Sequence, residues 1–208
     1  MSYSSLYGIK KDYTGEELYE YQNSWLFSPI IWNVLSDKYL PRQYGMIQSV
    51  IGLNGNEVWL KINDIMNNSD NTPDRICWEI SNQQIFFTKD KECIVNNIRK
   101  FIEQNKEYYT TGEDNISALE REHIIERFNE IINDIIGLDE DEYQCFVLKN
   151  TSVDDGVEYW FHNYDENDEY IDKSLKDWEE CIAEFVIIKD DRIDSFVSNL
   201  DYKYNIKL

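Results

Sequence analysis

Residues 117–137 read SALEREHIIERFNEIINDIIG, and this stretch decides most of the fold. Ser117 and Glu120 make a capping-box pair, a hydroxyl at the N-cap with a carboxylate three residues on, so a helix starts here. Behind it Ile124, Ile125, Phe128, Ile131, Ile132, Ile135 and Ile136 fall on one stripe at helical spacing, and Gly137 ends the element. At about 1.5–3 kcal/mol per buried side chain, that stripe is the strongest folding element in the chain. It needs a cover, expected from a sheet.

Working outward, Asp90 caps a helix with Ile94, Val95, Ile98, Phe101 and Ile102 inward. Ser28 and Pro29 start another, with Ile30, Ile31, Val34 and Leu35 on one face and Pro41 closing it. Thr14-Gly15-Glu16-Glu17 reads as a second capping box, predicting a short helix from Gly15. Ser174 to Phe185 reads as a helix with Leu175, Trp178, Ile182 and Phe185 inward, passing into a short strand over Val186 to Ile188. Ile193 to Leu200 reads as a last short helix.

Strand signals lie between these. Met46 to Leu53 and Glu57 to Ile62 flank Asn54-Gly55, the preferred type I′ turn pair, and predict a hairpin. A helix from Glu57 to Met66 is the rival reading. Asn67 to Asp74 is a loop, with strands following at Ile76 to Ile80 and Gln84 to Thr88. Tyr143 to Lys149 and Val157 to Asn163 read as strands joined through Asn150 to Gly156. The expected class is α+β, antiparallel hairpins packed by two or more amphipathic helices. The organisation is a single domain over 1–208, with a subdivision near 110–116 into 1–112 and 113–208 as the alternative.

Six Trp, fifteen Tyr and nine Phe give this chain the large buried areas of a globular protein, whereas disordered acidic chains are poor in aromatics. The formal net charge of −21 excludes other classes. Free nucleic acid is bound by Lys and Arg neutralising phosphates, and anionic membranes repel such a chain for the same reason. A cationic protein surface attracts it. The four cysteines are widely spread, without a Cys-x-x-Cys, and read as reduced thiols. No signal-peptide pattern and no apolar run of about 20 residues occurs, so the expected location is cytoplasmic. With 26 Ile and 20 Asn but two Ala, the composition suggests an AT-rich genome.

The charge is concentrated. From Asp139 to Glu184 there are sixteen acidic and three basic residues, a net of −13 in 46 positions; the other 162 carry −8. Within it lie Asp139-Glu140-Asp141-Glu142, Asp154, Asp155, Glu158 and the run Asp165, Glu166, Asp168, Glu169 and Asp172, interleaved with Tyr159, Tyr164 and Tyr170. A charge run is ordinarily a solvated face. The interleaved tyrosines point instead to an interface, where aromatics anchor. On an extended strand alternate carboxylates stand roughly 6.6 Å apart on one face, a spacing able to imitate a nucleic-acid backbone.

Catalytic signals are sparse. His123 and His162 are the only histidines, and no zinc motif, phosphate loop, dinucleotide glycine cluster or nucleophile elbow occurs. Asp154-Asp155-Gly156 fails as a calcium loop, because Thr151 and His162 would stand where the loop needs carboxylates. A Cys145–His162 nucleophile pair is conceivable if their strands pair. No metal site and no cofactor is expected. The expected function is a non-enzymatic acidic inhibitor that binds the basic nucleic-acid-binding surface of a nuclease or other defence enzyme. This is the character of phage anti-restriction or anti-CRISPR proteins that mimic DNA. An immunity protein against a cationic toxin is one alternative, and a small enzyme using a cysteine or carboxylate site is another.

Overall fold

The structure is a computed structural model and describes residues 3–12, 14–22, 26–40, 55–151, 162–172, 184–198 and 201. These residues form an α+β fold with five α-helices, a six-stranded mixed sheet and two two-stranded sheets. They fall into two compact units, Met1–Asn23, Gln83–Lys91 and Gly137–Leu208 in the first, Ser24–Asn82 and Glu92–Ile136 in the second. Residues 110–116 lie inside the second unit.

The first unit is built on the sheet, in the order β10-β9-β3-β6-β1-β2. β1 is Tyr3–Lys10, β2 Gly15–Gln22, β3 Ile85–Phe87, β6 Tyr143–Thr151, β9 Glu184–Lys189 and β10 Arg192–Ser198. β3 runs parallel to β9 and every other pair is antiparallel. The central strands carry near-continuous apolar runs because both their faces are buried. Register puts Ile9 and Phe87 on either side of Cys145, Tyr7 beside Val147, and Ile85 beside Phe185, and these residues form one apolar layer. Phe86 and Phe146 stack on the opposite face, 6.0 Å apart.

Gly8 has a specific packing role. A Cβ there would lie 2.3 Å from the Tyr143 ring, so the ring crosses the β1 backbone only because Gly8 has no side chain. The Tyr143 hydroxyl donates to Glu16 on β2 at 3.1 Å, and Lys10 pairs with the same carboxylate at 2.7 Å. Burial and the Glu16 carboxylate push the Tyr143 phenol up to about 12.

Two helix expectations fall to hairpins. Thr14-Gly15-Glu16-Glu17 opens strand β2, not a helix. Thr14 donates both its N–H and its hydroxyl to Asp12 Oδ1, at 3.0 and 2.7 Å, so it closes the β1–β2 turn. The expected helix at Ile193 is strand β10. Asp190 and Asp191 take positive φ of 49° and 57° in a two-residue turn, and the β-favouring Phe196 and Val197 pair back onto β9. The short strand over Val186 to Ile188 lies within β9, and Phe185 belongs to that strand rather than to a helix; Ser174 to Ala183 lie outside the described residues.

The second unit holds α1 Ser28–Tyr39, α2 Gly55–Asn67, α3 Thr72–Ser81, α4 from Lys91 to Asn105 and α5 Glu122–Gly137, with a hairpin of β4 Thr110–Thr111 and β5 Ile116–Ser117. α1, α4 and the apolar stripe of α5 fall where the periodicity predicts. Phe27 packs on Phe128 at 4.6 Å, so part of the stripe's cover comes from beside α1. The capping box forms as expected, with Glu120 accepting the Ser117 N–H at 3.1 Å, but it opens a 3₁₀ turn ahead of α5.

The predicted hairpin arm over Glu57–Ile62 is helical, in α2, so the rival reading holds there; Met46 to Asn54 lie outside the described residues. The predicted strand Ile76–Ile80 is part of α3. Seven of its ten residues are buried and three of these, Asp74, Glu79 and Ser81, are polar, so Ile76-Cys77-Trp78 with Ile80 imitates a short strand when only the apolar positions are read. Its start signals were local: Asn71 caps the Asp74 N–H at 3.3 Å, and Pro73 sits in the first turn.

Asp74 anchors a buried polar hub in this unit. Its Oδ2 accepts from Lys38 at 2.7 Å and Tyr39 at 2.6 Å; its Oδ1 accepts from Asn105 at 2.7 Å and Gln104 at 3.2 Å. The carboxylate is fully buried and is met by four donors, as a buried charge requires. Burial and Asp74 push the Tyr39 phenol well up.

Candidate acidic interface

The acidic run forms a hairpin. β7, His162–Tyr164, pairs antiparallel with β8, Tyr170–Asp172, in a sheet of their own. Tyr164 is in register with Tyr170, Asn163 with Ile171, and His162 with Asp172. The loop between them is a tight turn. Asp165 Oδ1 accepts the N–H of Asn167 at 2.7 Å and of Glu169 at 3.0 Å; the Asp165 N–H donates to the Glu169 carbonyl at 3.0 Å. Asp168 takes a φ of +61°, which aspartate tolerates better than most side chains. The two backbone N–H groups hold the Asp165 carboxyl below the usual aspartate range.

This geometry corrects the expected extended strand. Asp165, Glu166, Asp168 and Glu169 do not stand at alternate positions of a strand, and of the run's carboxylates only Asp172 is on one. The aspartate at position 165 prefers to satisfy the turn's own amides, which closes the chain on itself. Glu166, Asp168 and Glu169 are exposed around this turn, and among the described residues no basic side chain is ion-paired with them. Ile171, 45 % exposed, stands beside them as an apolar side chain in water, a feature the charge count passed over.

Asp139-Glu140-Asp141-Glu142 is a separate turn, leading from α5 into β6. Asp139 repeats the device seen at Asp165: its Oδ1 accepts the Asp141 N–H at 2.9 Å, and its carbonyl accepts the Tyr143 N–H at 2.8 Å. Glu140 lies 3.4 Å from Lys91 and Glu142 lies 3.8 Å from Lys10. Two lysines distant in sequence therefore offset part of this run. Asp154, Asp155, Glu158 and Tyr159 lie outside the described residues.

The strand pairing that a Cys145–His162 couple needs does not form. Both sides of Cys145 are taken, by Ile9 and Phe87, and His162 pairs with Asp172. Cys145 is fully buried, and desolvation drives its thiol far up, away from the thiolate. His123 is exposed on α5. Among the described residues no group of three His, Cys, Asp or Glu is placed to hold a metal ion. No described helix is long and apolar enough to cross a membrane. No family model matches this chain, and no curated protein or solved structure matches it.

Proposed function

We propose that this chain works by binding rather than by turnover. Its acidic segments, 139–142 and 162–172, dock on the basic nucleic-acid-binding surface of a nuclease or other defence enzyme and exclude that enzyme's nucleic acid. The observation that carries this reading is the tip of the β7–β8 hairpin, where Glu166, Asp168 and Glu169 are exposed without a described basic partner. Like-charged groups held together in a braced turn repel one another, and a cationic groove relieves that repulsion. The mimicry is of a compact cluster, not of a regularly spaced strand.

The charge of the whole chain supports the same partner class. A body of −21 accelerates association with a cationic protein and opposes binding to phosphates. The sequence segments of the first unit hold 25 acidic and 11 basic residues, those of the second 16 and 9, so the hairpin's own unit has twice the net charge.

The test is capture at low salt from the lysate of a low-GC bacterium, elution at high salt, and a nucleic-acid-binding assay of the eluted protein. The reading predicts a nucleic-acid-processing enzyme whose DNA or RNA this chain displaces. An eluted partner that binds this chain and its nucleic acid together contradicts it.

A further inference from the structure

We propose that the outer edge of β2, from Gly15 to Glu20, is a docking site for an extended cationic segment of a partner protein, added to the sheet as one more strand. The surface belongs to a different sheet from the turn at 165–169; at its Glu16 end Lys10 also reaches Glu142 of the 139–142 turn, and the proposal stands whether or not those turns bind.

Among the described residues β2 is the terminal strand of the six-stranded sheet and pairs with β1 alone. A terminal strand presents a row of backbone N–H and C=O groups that a further strand can pair with. Proteins ordinarily blunt such edges with charge, and here the charge has one sign: Glu16, Glu17 and Glu20, with no Lys or Arg between Gly15 and Gln22. That selects what can dock. A second copy of this chain would set glutamate against glutamate, which disfavours pairing. The opposite edge, β10, is uncharged from Ser195 to Ser198 and makes no such selection.

The register distributes the carboxylates over both faces. Glu17 and Glu20 are in register with Tyr7 and Ser5, Glu16 and Tyr19 with Gly8 and Leu6. Glu17 is held by the Ser5 hydroxyl and Glu16 by Lys10 and Tyr143, so both are oriented before a partner arrives. Glu20 is exposed and has no described ion pair, and Tyr19, 42 % exposed, offers an aromatic surface on the other face, with Glu16. A strand with Lys or Arg at alternate positions presents them on one face, where they meet Glu17 and Glu20 or, in the alternative register, Glu16 and Tyr19.

The probe is a fluorescent twelve-residue peptide of alternating Lys and Thr, titrated at low salt against the full chain. Three further titrations use the same peptide N-methylated at alternate residues, a Glu/Thr peptide, and the Tyr19→Thr/Glu20→Lys variant. The proposal expects binding of the Lys/Thr peptide, at least about tenfold weaker binding in the other three titrations, and slowed amide exchange at residues 15–20. Equal binding of the N-methylated peptide would show attraction by charge alone and overturn it. So would no binding of the Lys/Thr peptide, or slowing confined to β10 or to the 162–172 hairpin. The N-methyl comparison uses the unaltered protein, so it holds even where the double variant fails to fold.

Discussion

Asp165 and Glu169 are tied in both directions: the Asp165 N–H donates to the Glu169 carbonyl, and the Glu169 N–H donates to the Asp165 carboxylate, each at 3.0 Å. The turn that presents the acidic tip therefore depends on an oxygen acceptor at position 165. Asp165→Asn keeps that acceptor, whereas Asp165→Ala removes it. Amide exchange at Asn167 and Glu169 is expected to speed up in the alanine variant and to change little in the asparagine variant.

The same bonds fix a pH dependence. The Asp165 carboxyl is held below its ordinary value, so its support for the turn is present above an unfolded value of about 3.9 and is lost as pH falls through the lower folded value. A carboxyl titration followed by NMR should place the Asp165 midpoint below about 3.9. A midpoint at or above that value would mean that the amides do not hold the charged form.

Gly8 and Tyr143 form a pair that a mutational cycle can isolate. Gly8→Ala should destabilise by about 1–3 kcal/mol, because the added methyl meets the Tyr143 ring and displaces it from Glu16. In a Tyr143→Ala background the same change should cost little. Equal costs in both backgrounds, measured by urea unfolding, would show that the ring does not lie over Gly8.

Asp74→Ala leaves the Lys38 ammonium, 16 % exposed, without its carboxylate. The expected loss is about 3–5 kcal/mol, as for a broken buried pair. The double variant with Lys38→Met should lose less than the two single changes together. A departure from additivity below about 0.5 kcal/mol would mean that the hub is not a coupled network.

The long amphipathic helices were legible because α4 and α5 each bury one stripe and leave the other side in water, which preserves the helical period. α3 was not, because its buried face includes the polar Asp74, Glu79 and Ser81, which a reading of apolar spacing passes over; Asn71 and Pro73 marked its start. The β9–β10 hairpin was missed because its turn is Asp190-Asp191, where two aspartates take the positive φ usually left to Asn-Gly. At the candidate interface the sequence located the charge but not its shape. Which acids serve their own turn, as Asp139 and Asp165 do, and which face lysines, as Glu140 and Glu142 do, depends on contacts that spacing does not encode.

The measurement closest to the central claim is the salt dependence of affinity for the captured partner, compared between the parent chain and a Glu166→Lys/Asp168→Asn/Glu169→Lys variant. Asp165 is left in place to keep the turn, and Asn is used at 168 because it tolerates the positive φ. The prediction is that the variant binds at least about tenfold more weakly at low salt, and that its affinity falls less steeply as salt is raised. Equal affinity and an equal salt slope in the folded variant would contradict the assignment of the β7–β8 tip as the binding surface.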